Sequence, residues 1–241
     1  MLSSDDKILT IDIGGTGIKA AMLDAKGALL MDYKRLETPV PANPPTVLAT
    51  IKELTKHMKG FTKVSAGFPG LVRAGIIRTA PNLDNAAWKN VDFDKILTDS
   101  FGCPARVLND ADMQGLGVAA GVGFEMVITL GTGFGTAFLQ DGKLLPHLEI
   151  AHHPISKKLT YDEYIGQKAF KACGKKKWNK RLQKIITVLQ TVFIYDTLYI
   201  GGGNAKNISF DLPGNIKIVT NQDGIKGGAK LWDDGAAGIR E

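Results

Sequence analysis

Two glycine-rich turns are the parts of the sequence whose residue types most directly suggest chemistry. Residues 14–17 read Gly-Gly-Thr-Gly and residues 131–133 read Gly-Thr-Gly, each between two apolar segments. Glycine leaves backbone N–H groups open to an anion, because no side chain blocks its approach. The hydroxyls of Thr16 and Thr132 and the ammonium of Lys19 can add contacts. The pair predicts a site for a run of phosphates, with the two turns facing each other across a cleft.

Neither turn matches the two best-known phosphate-binding motifs. The Walker spacing GxxxxGK[ST] is absent, and neither turn is followed directly by a helix, as a Rossmann fingerprint requires. A single turn of this kind is more often a tight hairpin than a ligand site. The indication of phosphate binding therefore depends on the pair.

Two aspartates lie where they can take part in phosphate chemistry. Asp12 interrupts an apolar strand, and a buried carboxylate is costly unless it is paired or near a metal, so we expect it to contact Mg²⁺ through water. Asp110 lies between a predicted strand and a predicted helix. It can accept the proton of a substrate hydroxyl during phosphate transfer, or it can cap the helix. Its position alone leaves both roles open.

A third group of polar residues follows the second turn. Glu149, His152 and His153 are close enough in sequence to converge on sugar hydroxyls if the segment turns into a helix. A purely structural histidine is the alternative. A zinc site would need further ligands, which the nearby sequence lacks, and Cys103 and Cys173 form no CxxC motif. We therefore expect no zinc.

The positive charge of the chain is concentrated in one stretch. The formal net charge is +6, and residues 157–184 contain ten Lys or Arg against two acidic residues. One interpretation is a solvated helix face, because Lys168, Lys171 and Lys175 have helical spacing. The other is a track for a polyanion along Lys175, Lys176 and Lys177. Few aromatic residues accompany the lysines, so a nucleic-acid partner is not expected.

The elements that must position these residues form an internal repeat. Residues 10–30 and 127–145 both have the order strand, glycine turn, strand, Asp-containing turn, strand. We predict two related α/β domains, residues 1–108 and 109–224, with a C-terminal helix over 225–241 packing back on the first. Two unrelated hairpins are the alternative. Further helices are predicted over 46–58, 110–120, 161–172 and 175–193, and one from a cap at Asp92 to Gly102.

Composition narrows the class of protein. The chain has 241 residues, 44% hydrophobic and 22% charged, which is typical of a globular protein and excludes disorder or a fibre. No apolar run is long enough to cross a bilayer, and the N-terminus does not read as a signal peptide. We expect a cytoplasmic protein with no membrane partner.

Five segments together resemble the ROK family of sugar kinases, within the actin-like ATPase superfamily, and especially its polyphosphate glucokinase branch. In chain order they are IDIGGTGIK (11–19), RTAPNLD (78–84), VLNDAD (107–112), TLGTGFGTA (129–137) and IGGGNAK (200–206). The resemblance extends over nearly the whole chain. It implies a two-lobed actin-like (ribonuclease H-like) fold with duplicated domains and a central cleft.

The resemblance also implies roles for individual residues. It makes the protein a kinase that transfers phosphate from polyphosphate, ATP or both to the 6-hydroxyl of glucose, with Mg²⁺, and it implies a homodimer. Asp110 matches the general base. The implied sugar contacts are Asn82, Asn109, Asp110, Glu149, His152 and Glu163. The implied phosphate and nucleotide contacts are Asp12, Gly14, Gly15, Thr16, Lys19, Gly131, Thr132, Gly133, Gly202 and Gly203.

The sequence departs from the family pattern at the sugar. The family's Glu-Leu-Gly-His is Glu149-Ile150-Ala151-His152 here, which adds a methyl group beside the sugar. The cysteine cluster that binds zinc in many members is absent, as in the polyphosphate branch. Two alternatives stay open: an ATP-dependent kinase for fructose, mannose or an N-acetylated hexosamine, and a sugar-binding sensor or structural actin-like ATPase without kinase activity.

Overall fold

The computed structural model describes residues 2–233, which fall into two compact units. The first unit runs to Val118 and resumes at Gln222, and the second is Ala119–Asn221. The division after Val118 differs from the sequence-based boundary after residue 108. The reason is the helix over 110–118, which packs on the C-terminal segment and on a strand of the first unit.

The strands and helices are numbered along the chain. The strands are β1 (Lys7–Ile13), β2 (Ile18–Asp24), β3 (Leu29–Leu36), β4 (Lys63–Phe68), β5 (Val72–Arg73), β6 (Ile76–Ile77), β7 (Val91–Asp92), β8 (Ala105–Asn109), β9 (Phe124–Leu130), β10 (Phe134–Gln140), β11 (Lys143–Leu144), β12 (Thr197–Gly201) and β13 (Ile216–Ile218). The helices are α1 (Pro44–Thr55), α2 (Asn85–Trp88), α3 (Phe93–Phe101), α4 (Asp110–Val118), α5 (Tyr161–Ile165), α6 (Gln167–Phe193), α7 (Asn221–Ile225) and α8 (Gly227–Lys230).

The first unit is built on a five-stranded sheet with the order β3-β2-β1-β4-β8. Strands β1, β2 and β3 form an antiparallel meander, and β4 and β8 run parallel to β1. Strand β1 is almost continuously apolar because both faces of the sheet are covered. On one face Leu9 and Ile11 pack with Phe68 and Trp88 in the main core. Thr10 points to the other face, where its hydroxyl donates to the Ile225 carbonyl at 3.4 Å.

Local signals in the sequence set the ends of helix α3. The Asp92 carboxylate accepts a hydrogen bond from the Lys95 N–H, and Gly102 adopts the left-handed conformation just past the last turn, with φ 68°. Both features confirm the predicted cap and stop. Helix α1 begins at a proline after the Asn43 cap and ends at Thr55, three residues before the predicted end.

The second unit repeats the plan of the first. Its sheet has the order β11-β10-β9-β12-β13, with β9, β10 and β11 antiparallel and β12 parallel to β9. Ile128 from the sheet packs with Trp178, Leu182 and Ile185 of α6 in its core. Each unit therefore opens with a meander whose first strand also pairs with a parallel strand, as the internal repeat predicts.

Helix α6 has a break that separates its lysines. It runs over Gln167–Phe193, but Gly174 has φ 72° and ψ 163°, so the helix is broken there, between the two helices predicted over 161–172 and 175–193. Lys168 and Lys171 lie before the break and Lys175 lies after it, so the helical spacing does not run unbroken through all three. Within residues 2–233 no helix combines the length and apolar composition needed to cross a lipid bilayer.

The C-terminal segment completes the first unit. The single helix predicted over 225–241 is replaced by the two short helices α7 and α8, and residues 234–241 lie outside the described part. Helix α8 contacts β1, β4 and α4. The Ser65 hydroxyl donates to the Gly228 carbonyl at 2.6 Å, and the Trp232 indole donates to Ser65 at 2.8 Å.

Candidate functional site

One edge of the first sheet gathers several of the predicted site residues. Strands β1, β4 and β8 are parallel, and their register places Asp12 beside Gly67 and Phe68 beside Asn109. Asp110 follows directly as the first residue of α4. The glycine turn between β1 and β2 leaves the same edge. The carboxyl ends of parallel strands are where α/β proteins place their ligands.

The first glycine turn is tight and lies against a predicted sugar contact. The Gly14 N–H donates to the Gly17 carbonyl at 3.0 Å. A Cβ added to Gly15 would lie 3.1 Å from the Cβ of Asn82, so Asn82 lies directly beside the turn. The structure thus brings together Gly15 and Asn82, which are far apart in the sequence.

Arg35 on β3 is a neighbour of this turn that the sequence analysis missed. Its guanidinium donates to the Thr16 carbonyl at 2.8 Å, and it occupies the space that a side chain at Gly17 would need. In the sequence, β3 reads only as the third strand of a meander, and nothing in it indicated a contact between Arg35 and the glycine turn. Arg35 adds a positive charge next to the first turn.

Asp12 is not buried, contrary to the expectation. Its side chain is 30% exposed and pairs with the Lys19 ammonium at 3.0 Å. The two residues stand directly opposite each other in the β1–β2 hairpin. The pairing explains how a carboxylate is tolerated in an apolar strand without a metal. It also means that Lys19 neutralises Asp12 in addition to any contact with phosphate.

Asn109 and Asp110 share the start of α4. The Asn109 side-chain oxygen accepts the N–H groups of Ala111 at 2.8 Å and Asp112 at 3.3 Å, and its amide donates to the Gly70 carbonyl at 3.1 Å. Asn109 is therefore the main cap of the helix. Asp110 also accepts the Ala111 N–H at 2.9 Å, but its side chain is only half-buried.

Gly67 provides the close approach that places Asp110 at the sheet edge. A Cβ on Gly67 would lie 3.2 Å from the Asp110 Cα, so any larger residue on β4 would push α4 outward. Asn109 fixes the first turn of α4, and Gly67 lets it approach the sheet. Asp110 is thus positioned by Asn109, which precedes it in the sequence, and by Gly67 on strand β4.

The second glycine turn has a different support. The Gly131 N–H donates to the Gly133 carbonyl at 3.1 Å, and the Phe134 N–H donates to an Asp162 carboxylate oxygen at 2.9 Å. A Cβ on Gly133 would collide with that oxygen, whereas a Cβ on Gly131 would meet no atom within 4 Å. Gly131 therefore presents an open surface, and Asp162 is a supporting residue that the sequence analysis did not single out.

Gly202 supports the same turn from behind. It has φ 86°, and a Cβ there would collide with the backbone of Leu130. The following Asn204 donates its N–H to the Leu130 carbonyl at 2.8 Å and its side-chain amide to the Gly131 carbonyl at 3.3 Å. The conformation and the close packing both require glycine, which gives Gly202 a structural role. Gly203 has open space at its Cβ position.

Glu149 lies among imidazoles. Residues Ile150–His152 form a single 3₁₀ turn, which brings His152 Nε2 to 3.9 Å from Glu149 Oε2. His147, which the sequence analysis missed, places Nε2 3.6 Å from Glu149 Oε1, and its side chain is 9% exposed. The neighbouring His147 imidazole is the main cause that lowers the pKa of Glu149 below its ordinary value. Glu149 is thus held as an ionised acceptor.

Glu163 has a clear local role. Its carboxylate accepts the Thr160 N–H at 2.9 Å while its own N–H donates to the Thr160 hydroxyl at 3.3 Å, which is a capping box at the start of α5. The spacing Thr-x-x-Glu was available in the sequence as a signal for this role. The role as a sugar contact stays a prediction.

The described residues hold no group of three His, Cys, Asp or Glu side chains that could bind a metal together. The three lysines of the predicted polyanion track, Lys175, Lys176 and Lys177, are exposed on α6 directly after the break at Gly174.

Comparison with known proteins identifies the family. A model of the ROK family matches residues 8–176. Polyphosphate glucokinase from Mycobacterium tuberculosis (strain CDC 1551 / Oshkosh) is 32% identical over 80% of this chain and 76% of its own length. Polyphosphate glucokinase from Mycobacterium leprae (strain TN) is 31% identical over 84% of this chain and 65% of its own length.

A solved structure of a related sugar kinase also resembles this chain. The inorganic polyphosphate/ATP-glucomannokinase from Arthrobacter sp. strain KM superposes with a TM-score of 0.84 at 32% identity, covering 93% of this chain and 97% of that one. The predicted fold class, an α/β protein of the actin-like ATPase type, is confirmed. With the five sequence motifs, the repeated meanders and these matches all in agreement, the chain belongs to the ROK family.

Proposed function

We propose that this protein is a glucokinase that transfers a phosphoryl group from polyphosphate or ATP to the 6-hydroxyl of glucose. The observation that carries the proposal is the meeting of Asp12, the first glycine turn and a half-exposed Asp110 at the carboxyl edge of one sheet. The names of the relatives support the enzyme class, a phosphotransferase of the glucokinase type.

Asp110 acts as the general base. Its carboxylate accepts the proton of the sugar 6-hydroxyl as that oxygen forms its bond to the transferred phosphorus. The bond from this phosphorus to the rest of the donor breaks, which leaves ADP or a polyphosphate shorter by one unit. Asn109 caps α4 and so fixes the position of Asp110 relative to the sheet.

The phosphoryl donor is held mainly by backbone groups. In the proposal, both glycine turns direct N–H groups at the phosphates, and Thr16, Thr132 and Lys19 add side-chain contacts. Arg35 adds charge beside the first turn. Catalysis then rests on positioning and on stabilising the charge of the transferring group rather than on covalent chemistry.

The residues present fit a Mg²⁺ ion that is bound together with the donor. Mg²⁺ in phosphoryl-transfer sites usually keeps several waters and takes one or two carboxylates plus phosphate oxygens. Asp12 is a carboxylate at this edge besides the proposed base Asp110, and it is 30% exposed, so a contact through water is sterically open. The ion would neutralise phosphate charge, while Lys19 keeps Asp12 oriented.

The sugar contacts in the proposal come from Asn82, Glu149 and His152. An ionised Glu149 accepts a sugar hydroxyl strongly, and its lowered pKa keeps it ionised over a wide pH range. Mannose is the second candidate acceptor, because the glucomannokinase by its name acts on both sugars and because Ala151 changes the sugar-side motif.

A coupled assay tests the proposal with glucose or mannose, ATP or long-chain polyphosphate, and with or without Mg²⁺. We expect glucose phosphorylation with at least one donor. In Asp110→Asn, turnover should fall by about 10²- to 10⁴-fold, the usual contribution of a general base, while calorimetric glucose binding stays within about twofold. If the wild type phosphorylates neither sugar with either donor, the protein is a sugar-binding protein and the proposal is wrong.

A further inference from the structure

A cluster of lysines on the second unit surrounds an open cavity. The cavity has a volume of about 440 Å³ and is lined by Lys175, Lys176, Asn179, Lys180, Gln183, Ser209 and Phe210. These described lining residues contribute three ammonium groups and no carboxylate. Lys177, which belongs to the predicted polyanion track, is not one of them. The lysines of the cavity are therefore Lys175, Lys176 and Lys180.

The wall of the cavity is fixed by a buried amide. Asn179 is 6% exposed, and its side-chain NH₂ group donates to the Lys175 carbonyl at 2.9 Å and the Asn207 carbonyl at 3.1 Å. Its side-chain oxygen accepts the Ser209 N–H at 2.9 Å. The two bonds to Asn207 and Ser209 tie the lysine-bearing turn of α6 to the loop after β12. The lysine backbones therefore have one defined arrangement around the cavity.

Further hydrogen bonds connect the loop beside the cavity to the second glycine turn. The Asn207 side chain donates to the Asn204 side-chain oxygen at 3.4 Å, and Asn204 donates to the Gly131 carbonyl at 3.3 Å. Helix α6 also begins at this turn, since the Gln167 N–H donates to the Gly131 carbonyl at 3.1 Å. The helical segment from Gln167 to Cys173 rises roughly 9 Å, and Lys175 follows after the break at Gly174. A ligand that reaches both places must be extended.

We infer that this cavity holds the distal phosphates of a polyphosphate donor whose reacting end lies at the second glycine turn. The inference rests on the proposed function, because it assigns a place for the donor of that reaction. Lysine ammonium groups suit a flexible chain of phosphates, to which each contributes a point charge. Among the described lining residues Phe210 is the only aromatic side chain, and Trp178 is fully buried and donates its indole N–H to the Ile165 carbonyl at 2.7 Å. The successive stacking platforms of a single-stranded nucleic-acid site are therefore missing from this lining.

The test compares two triple variants with the same change in net charge. The cavity variant is Lys175→Gln, Lys176→Gln and Lys180→Gln, and the control is Lys158→Gln, Lys168→Gln and Lys171→Gln, all exposed lysines of the same unit. For each protein, KM is measured with long-chain polyphosphate, tripolyphosphate and ATP. Direct binding of long-chain polyphosphate is measured at several salt concentrations, and thermal unfolding verifies that both variants fold.

We expect the cavity variant to raise KM and Kd for long-chain polyphosphate about tenfold or more, and to change KM for tripolyphosphate and ATP less than twofold. The control should change each value less than threefold. Equal losses in the two variants, or equal losses with all three donors, would overturn the inference. So would a single-stranded oligonucleotide that displaces polyphosphate from the wild type at equal phosphate concentration.

The two proposals can fail separately. If the wild type phosphorylates glucose with ATP but binds no polyphosphate, the cavity inference is wrong and the kinase stands. If polyphosphate binds through the three lysines but no sugar is phosphorylated with any donor, the kinase is wrong, and the cavity is a polyphosphate site without that reaction.

Discussion

The two units carry related glycine turns but support them differently. Side chains surround the first turn, where Arg35 donates to the Thr16 carbonyl and Asn82 lies against Gly15. The second turn combines side-chain contacts from Asp162 and Asn204 with close backbone packing of Gly202 on Leu130. The comparison shows that one local pattern, once duplicated, can be held in place by different combinations of side-chain contacts and backbone packing.

The predicted site carboxylates of the two units also differ in their partners. Asp12 in the first unit pairs with a lysine at 3.0 Å, whereas Glu149 in the second lies 3.6 Å from an imidazole of His147. The partner of Asp12 is a charged ammonium group, whereas an imidazole carries a charge only when it is protonated.

The packing side of the comparison is tested most strongly at Gly202. Gly202→Ala should reduce the free energy of unfolding by about 2–5 kcal/mol, because it adds a left-handed non-glycine residue and a backbone collision. Gly203→Ala is the matched control, since its added methyl group meets open space, and it should change stability by about 0.5 kcal/mol or less. Urea unfolding measures both. Equal stability of the two variants would contradict a structural role for Gly202.

The charge side of the comparison is tested at Asp12. Asp12→Asn should lower activity and the apparent Mg²⁺ affinity about 10- to 100-fold, as expected for a group that contacts a metal through water. Stability should change by about 1 kcal/mol or less, because the pair with Lys19 is partly exposed. Initial rates over a Mg²⁺ titration and a thermal melt measure these effects.

Asp99 provides the control for that experiment. It forms a similar pair with Lys95 at 2.9 Å on the exposed surface of α3. Asp99→Asn should leave both activity and Mg²⁺ dependence unchanged. A loss of activity in Asp12→Asn with an unaltered Mg²⁺ dependence would instead assign Asp12 to orienting Lys19.

The smallest expected effect concerns pH. The folded state lowers the pKa of Glu149, chiefly through the neighbouring His147 imidazole. The resulting stability is present above the ordinary pKa of glutamate, about 4.3, and is lost as pH falls through the lowered value. In His147→Phe the pKa of Glu149 should rise, and the loss of stability below about pH 4.3 should become shallower.

Carboxyl NMR titration and acid unfolding measure this effect. His152→Ala is the control, because His152 is 62% exposed and its nitrogen lies 3.9 Å away. Its effect on the pKa of Glu149 should be smaller than that of His147→Phe. An identical shift in both variants would mean that general electrostatics, rather than the adjacent His147 imidazole, sets the pKa of Glu149.

Local patterns in the sequence predicted the strands, both turns and the Asp92 cap, because each depends on neighbouring residues. The Asp12–Lys19 pair was also available, since a tight hairpin places those residues opposite each other. The capping box of Glu163 had its own sequence signature. The roles of Gly202 and Arg35 could not be predicted, because their partners Leu130 and Thr16 reach them only through the folded sheet.

The interrupted chain path of the first unit has a consequence for synthesis. Its last described segment supplies the carbonyls of Ile225 and Gly228 to Thr10 and Ser65 on the sheet. The ribosome synthesises these residues only after the whole second unit, so one face of the sheet in the nascent first unit stays uncovered until then. A truncation after residue 221 would leave that face permanently open, which makes such a chain a candidate for chaperone binding or degradation.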